Sequence, residues 1–419
     1  MTKQFPIDHV RSKFPALKRT VGNATMVYFD GPGGTQMVDD AANAMFHYIS
    51  NGMANLHGTF VTSVETDDLL DETRSAVADL IACKPNEVAF GPNMTTLAFS
   101  LSRALASSIT EGDEIVLTEL DHRANVDPWL SIAEEKGAKV RFIRLDPETY
   151  TLDLDEIDHV ITENTKLVAV GMSSNVTGTV NDVETVIQRA IQVNAVTILD
   201  AVHAVPHIPI DFQALEADVL LCSAYKFFGP HVGIAVIREN LFKELPIYKL
   251  KPAPAEIPFK LETGTQNHEG IAGLFGAIQF LEQLGSGETR RDRIVSGVEA
   301  IQEYEDKLAL ELEEYLQAHP DITLYRAPDN TTRTPTLAFT LKNHHSRDVT
   351  KWFFEQYRMC IADGDFYAST MAEKLQVYPS DGWIRIGLAP YNTVDEVELF
   401  KEGMERYLAR IVEEESSSL

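Results

Sequence analysis

The chain has 419 residues, of which 44% are hydrophobic and 24% charged, with 63 acidic against 36 basic side chains and a formal net charge of −27. At roughly 100–200 residues per domain, this composition predicts a globular protein of two or more domains. The acidic balance argues against nucleic acid or an anionic membrane as a partner, because phosphate recognition needs clustered Lys and Arg.

Cys83, Cys222 and Cys360 are the three cysteines, and they have no paired spacing. Neither a disulfide framework nor a structural zinc is expected, and no metal site is predicted. The opening residues, MTKQFPIDHVRSKFPAL, contain no long apolar run. No other segment approaches the roughly 20 apolar residues of a membrane span. A cytoplasmic protein is the expectation.

In chain order, residues 1–25 read as an N-terminal arm, with a helical turn or two near Pro6–Phe14. A short strand, Val27–Asp30, is broken by Gly31-Pro32-Gly33-Gly34-Thr35. That glycine-rich loop is either a plain tight turn or a place where backbone can approach a phosphate. Helices are predicted over Met37–Ser50 and Thr66–Cys83 from their apolar stripes. Strands and helices then alternate. Strands are predicted at Glu87–Gly91, Glu114–Thr118, Lys139–Leu145, Lys166–Met172, Val196–Leu199, Val219–Leu221 and Gly233–Ile237. Seven strands with helical crossovers give one doubly wound α/β domain with a mainly parallel sheet, assigned to residues 26–260. Leu241–Pro258 reads as a connector and Glu269–His319 as one long helical region. Strands at Ile322–Tyr325, Pro335–Leu341 and Trp383–Leu388, with helices at Arg347–Gln356 and Val394–Ile411, suggest a smaller α+β domain over residues 261–419. A polar tail, Glu413–Leu419, is expected to fray.

The most informative stretch is Ala195–Gly233. Its two apolar runs end in Asp200 and in Ser223-Ala224-Tyr225-Lys226. Open α/β sheets place their chemistry at the carboxyl ends of such strands. Lys226 is open to two readings: a surface lysine on a loop, or a lysine that forms a Schiff base after burial lowers its pKa. Pyridoxal phosphate needs a lysine, a carboxylate for its pyridine nitrogen, a flat ring against its face, and hydroxyls or N–H groups for its phosphate. Lys226, Asp200, His122 and the set Thr95, Thr96 and Ser223 are candidates, each just after a predicted strand.

Eight stretches occur in register: YFDGPGGTQ (28–36), MANLHGTF (53–60), ELDHRANVDPW (119–129), MSSNVTGTV (172–180), DAVHAVPHIPID (200–211), SAYKFFGPHVGI (223–234), ETGTQN (262–267) and WIRIGLAPYNT (383–393). With them the chain resembles the class V aminotransferase group of fold-type I pyridoxal phosphate enzymes, and within it the cysteine desulfurases and selenocysteine lyases. The resemblance implies a homodimer acting on a small amino acid. It implies Lys226 as the Schiff-base lysine, Asp200 on the pyridine nitrogen, His203 at the ring hydroxyl and His122 stacked on the ring. Thr95, Thr96, Ser223 and Tyr225 would hold the phosphate, with Thr265 contributed by a second protomer. Arg385 would bind the substrate carboxylate, with Asn175 near the substrate.

Three departures stand out. Tyr225 replaces the histidine that usually precedes the lysine. GPGGT replaces the common Asn-Ala-Ala-Thr-Thr run. Tyr367 falls where desulfurases carry their nucleophilic cysteine, and Cys360 lies in an apparent strand, Met359–Ala362, read as core. Carbon–sulfur β-lyase chemistry without a protein persulfide is therefore expected. Transamination, epimerisation and a catalytically weak pyridoxal phosphate-binding protein are the alternatives. The side-chain pocket is expected from loops 51–62 and 360–372.

Overall fold

Short β-branched and leucine runs build the central sheet. The computed structural model describes residues 5–417, with side chains as far as Arg410. Seven strands are β1 (Val88–Gly91), β2 (Glu114–Thr118), β3 (Lys139–Ile143), β4 (Thr165–Gly171), β5 (Val196–Asp200), β6 (Val219–Ser223) and β7 (Gly233–Ile237). They lie in the order β1-β7-β6-β5-β4-β2-β3. β7 is antiparallel to β1 and β6, and the other pairings are parallel. Alternate residues feed two cores. Val116, Val168, Val170, Leu199 and Leu220 face one, and Ile115, Leu117, Ala169, Ile198 and Leu221 face the other. Both faces are covered, which is why the strands read as continuous apolar runs. This is the mainly parallel, doubly wound α/β architecture expected of a fold-type I enzyme.

A second sheet contains β8 (Ile322–Tyr325), β9 (Thr336–Leu341), β10 (Ala362–Gly364) and β11 (Trp383–Gly387), in the order β8-β9-β11-β10 and antiparallel throughout. Val27 and Phe29, near the N-terminus, pack in its core with Phe339, Phe353 and Phe400. Val27–Tyr28 pairs in parallel with Met359–Cys360, and Asp30 bridges to Gly387. The N-terminal segment therefore brings Asp30 beside the end of β11.

The region predicted as one helix over 269–319 is two, His268–Leu284 and Arg290–Gln317. The first helix ends at Gly285, which is extended and lets the chain fold back tightly. A Cβ on Gly285 would lie 1.8 Å from the Arg293 carbonyl oxygen. Thr289 and Asp292 form a capping box that starts the second helix. The first of these helices packs on two earlier ones, Asp39–Asn51 and Val61–Ile81. The connector begins with a short helix, Glu239–Glu244, that its proline content obscured. The final helix runs Val394–Ser417, past its expected end at Ile411. The side chains of the predicted tail, Glu413–Leu419, lie outside the described residues. Among the described residues no helix is long and apolar enough to cross a membrane.

Candidate cofactor site

The carboxyl ends of β2, β4, β5 and β6 open into a cavity of about 1000 Å³, closed on the far side by the β10–β11 end of the small sheet. Lys226 ends a single 3-10 turn, Ala224–Lys226, that follows β6. Its Nζ donates to the Pro32 carbonyl and lies 4.9 Å from the centroid of the Tyr225 ring. Burial, and then the positive charge of Arg385, lowers the lysine pKa to about 7, against the opposing pull of Asp30 and Asp200. Such an amine is largely a free nucleophile and base just above neutrality. Asp200 closes β5, and its Oδ1 accepts from the Val202 amide at 2.9 Å. Burial raises its pKa to about 6, although that bond and Lys226 pull the other way.

Two histidines present neutral rings. His122 Nδ1 accepts from the Ala124 amide at 3.0 Å, which fixes the ring. Burial and the charges of Lys226 and Arg385 lower its pKa to about 4. His203 is buried, with Nε2 hydrogen-bonded to the hydroxyls of Thr334 (3.0 Å) and Thr336 (3.1 Å). Burial, then neighbouring His207, drives its pKa well below the usual value. Behind it, His207 Nδ1 meets Glu305 at 2.8 Å.

The amino end of helix Met94–Leu105 points at the same cavity. Asn93 caps it by accepting from the Thr96 amide at 2.8 Å. Ser223 Oγ accepts from the Met94 amide at 2.9 Å, so its own O–H remains a donor. Thr95 and Thr96 are exposed on the first turn and line the cavity. Tyr225 stacks on His231 with centroids 5.1 Å apart, and burial raises the phenol pKa, so it keeps its proton. Donors at a helix amino end make an anion cradle.

Arg385 lies on β11 and is 3% exposed. Its Nη1 donates to the Asn175 carbonyl and its Nη2 to Asp30, both at 2.9 Å. The Phe366 ring covers the guanidinium at 3.8 Å. Asn175 Nδ2 donates to the Phe366 carbonyl at 3.0 Å. Tyr367 lines the cavity mouth with its ring 5.4 Å from that of His122, and it is 71% exposed. Phe366 and Tyr367 both adopt left-handed backbone conformations, φ 52 and 58.

All the predicted site residues except Thr265 line this cavity. Thr265 lines a neighbouring groove of about 520 Å³ that shares Thr96 and His231 with it. None of the three cysteines lines the cavity. Cys222 is buried within β6, and Cys360 is half-buried in its pairing with Val27–Tyr28. Residues 362–367 form part of the wall, but no residue of the 51–62 loop does. That loop turns instead onto helix Val61–Ile81, where the Gly58 amide donates to Ser63 and the His57 amide to Asp67. Sequence reasoning did not pick out Asp30, Asp121 or Phe366. The strand-end rule could have found the first two. Asp121 lies three residues past the end of β2, and its carboxylate accepts from Gly171 and Asn125. Burial raises its pKa to about 7, with Asp200 adding to the shift.

The aminotransferase class-V family model matches residues 27–400. Cysteine desulfurases of Enterobacter sp. (strain 638) and Escherichia coli O127:H6 are 31% and 30% identical to this chain. Each alignment covers 96% of it and 98% of the relative. The solved cysteine desulfurase of Thermococcus onnurineus NA1 superposes with a TM-score of 0.87 at 26% identity, covering 97% of this chain and 98% of that one. A cysteine desulfurase structure from Escherichia coli, at 24% identity and a TM-score of 0.84, shares the fold. The matched span holds both sheets and every residue described above around the cavity, and the chain belongs to the aminotransferase class-V family.

Proposed function

We propose that this protein is a pyridoxal phosphate-dependent, cysteine desulfurase-like enzyme that breaks the carbon–sulfur bond of a small amino acid. One observation carries the reading: a lysine amine with its pKa lowered to about 7 shares a cavity with a strand-end carboxylate. The residues fit the cofactor. Lys226 would hold its aldehyde carbon, Asp200 its pyridine nitrogen, His203 its ring hydroxyl and His122 its face. Thr95, Thr96, Ser223 and Tyr225 would hold the phosphate, joined by Thr265 of a second copy. When bound, pyridoxal phosphate supplies an electron sink for a carbanion at Cα.

This chain's residues do the rest. Arg385 binds the substrate α-carboxylate, and Asn175 and Tyr367 border the substrate. Lys226 Nζ takes the Cα proton. The electron pair of the Cβ–S bond then leaves with sulfur, and water converts the three-carbon remainder to pyruvate and ammonia. Cysteine and water thus yield pyruvate, ammonia and hydrogen sulfide. The lack of a cysteine on the cavity wall supports release of sulfur to solution rather than capture as a protein persulfide, which requires a thiolate nucleophile.

The proposal includes a homodimer in the cytoplasm and a division into domains over 26–260 and 261–419, with neither nucleic acid nor membrane as partner. The test is to incubate the holoenzyme with an amino-acid panel that includes cysteine and cystine. Pyruvate, ammonia and a sulfur product are expected. Amino-group transfer to a keto acid without pyruvate would replace the lyase with an aminotransferase. Solvent deuterium at Cα without net product would replace it with an epimerase.

A further inference from the structure

We propose that Asp30 and the substrate carboxylate compete for Arg385, so that Asp30 is a positioning residue that sets how tightly the substrate is held. The inference rests on the reading of Arg385 as the carboxylate-binding residue. Both terminal nitrogens of Arg385 are already engaged, Nη1 by the Asn175 carbonyl and Nη2 by Asp30 Oδ1. Phe366 covers one guanidinium face. Nε is buried without a hydrogen-bond partner. A second carboxylate gains the two parallel bonds of a bidentate pair when Asp30 releases Nη2. The Nε donor, costly to leave unpaired, then gains its partner.

Asp30 is built to move and Asn175 is not. The Asp30 side chain is 40% exposed, so water can solvate its carboxylate once it leaves the arginine. The Asn175 acceptor is a backbone carbonyl, anchored by the side chain of the same residue on Phe366.

Gly33 supplies an independent handle. A Cβ at this position would lie 2.4 and 2.6 Å from the Asp30 carboxylate oxygens. Gly33 does not have a positive φ, so alanine suits its backbone. The atoms in the way are the tip of a flexible side chain, so Gly33→Ala pushes the carboxylate away and spares the loop. The glycine-rich opening thus keeps the Asp30–Arg385 pair in place.

The test measures propionate binding to the holoenzyme by titration calorimetry, in the wild type and in Asp30→Asn, Gly33→Ala and Arg385→Gln. Propionate has a carboxylate and no amine, so no turnover is involved. Asp30→Asn is expected to tighten binding roughly three- to tenfold, the scale of a partly exposed ion pair. Gly33→Ala shifts it the same way, and Arg385→Gln abolishes it. With an amino-acid substrate, Asp30→Asn lowers KM without raising kcat. Unchanged or weaker propionate binding in Asp30→Asn and Gly33→Ala overturns the competition and leaves Asp30 as an orienting partner only. Binding that survives Arg385→Gln overturns it too. If Asp30→Asn does not retain the cofactor's visible absorbance, Gly33→Ala decides alone. Failure of the lyase assay leaves this result standing, and failure here leaves the lyase assay untouched.

Discussion

Lys226 and Tyr367 show how far single residues can be read from the sequence. Lys226 stands at the end of an apolar run, and the same burial that makes an ammonium costly there makes its amine useful. With its pKa lowered to about 7, the amine gains its free form as pH rises through neutrality. The rate at which cofactor-free protein captures pyridoxal phosphate should therefore climb from roughly pH 6 to 8 and level off above. An ordinary lysine would keep climbing to about pH 10. Stopped-flow absorbance across pH distinguishes the two, and a rate still rising at pH 9 would refute the lowered pKa. Tyr367 was legible only by alignment. Its backbone is pinned, because its carbonyl accepts from Arg123 at 2.8 Å and its amide donates to Asp365 at 3.0 Å. Only the ring is presented to the cavity mouth. Tyr367→Phe should change kcat/KM by about three- to tenfold, the scale of one hydrogen bond, and leave the visible spectrum intact. Identical kinetics would remove the phenol from the substrate's surroundings. Asp30 and Phe366 were not legible as partners of Arg385, since the pair Asp30–Arg385 joins positions 355 residues apart. Only the folded N-terminal strand brings them together.

At the scale of elements, the strands of the large sheet were readable because each is a short apolar run buried on both faces. Helix ends were less so. The turn at Gly285–Thr289 interrupts an otherwise continuous helical pattern, and the close backbone approach that requires glycine at 285 is something no periodicity reveals. The His207–Glu305 pair was also hidden, because it couples the segment after β5 to helix Arg290–Gln317 across the core. His207 is 3% exposed and Glu305 is fully buried, with Glu305 Oε1 unpartnered. Burial raises the Glu305 pKa while His207 opposes the shift. Where such a pair is ionised, removing one member leaves the other charge uncompensated, typically at about 3–5 kcal/mol. His207→Leu should lose that much stability in urea denaturation of the holoenzyme. The double variant His207→Leu with Glu305→Leu should recover most of it. A loss under about 1 kcal/mol in the single variant would mean that Glu305 is neutral and the contact is an ordinary hydrogen bond.

For the whole molecule, the informative feature is a surface. Phe46, Ile49, Met53, Phe60, Val61 and Val64 are 46–71% exposed on the end of one helix, the loop after it and the start of the next. Scattered exposed apolar residues need no explanation, but six within 19 positions of the sequence make this stretch a candidate face for the proposed homodimer. Tyr48, on the helix that carries Phe46 and Ile49, contacts His268, and Ile271 of helix His268–Leu284 lines the groove that holds Thr265. A second copy seated there would cover the apolar residues and could bring its own Thr265 to the phosphate end of the cavity. In the proposed homodimer, assembly and cofactor retention would then be linked. If the proposed homodimer uses this face, Phe46→Glu with Phe60→Glu should shift the protein from dimer to monomer in sedimentation equilibrium. The affinity for pyridoxal phosphate should fall in the same variant, and Thr265→Ala should weaken the cofactor while leaving the dimer intact. A dimer unmoved by the paired glutamates would place the interface on another face. A monomer with wild-type cofactor affinity would confine the whole phosphate site to one chain.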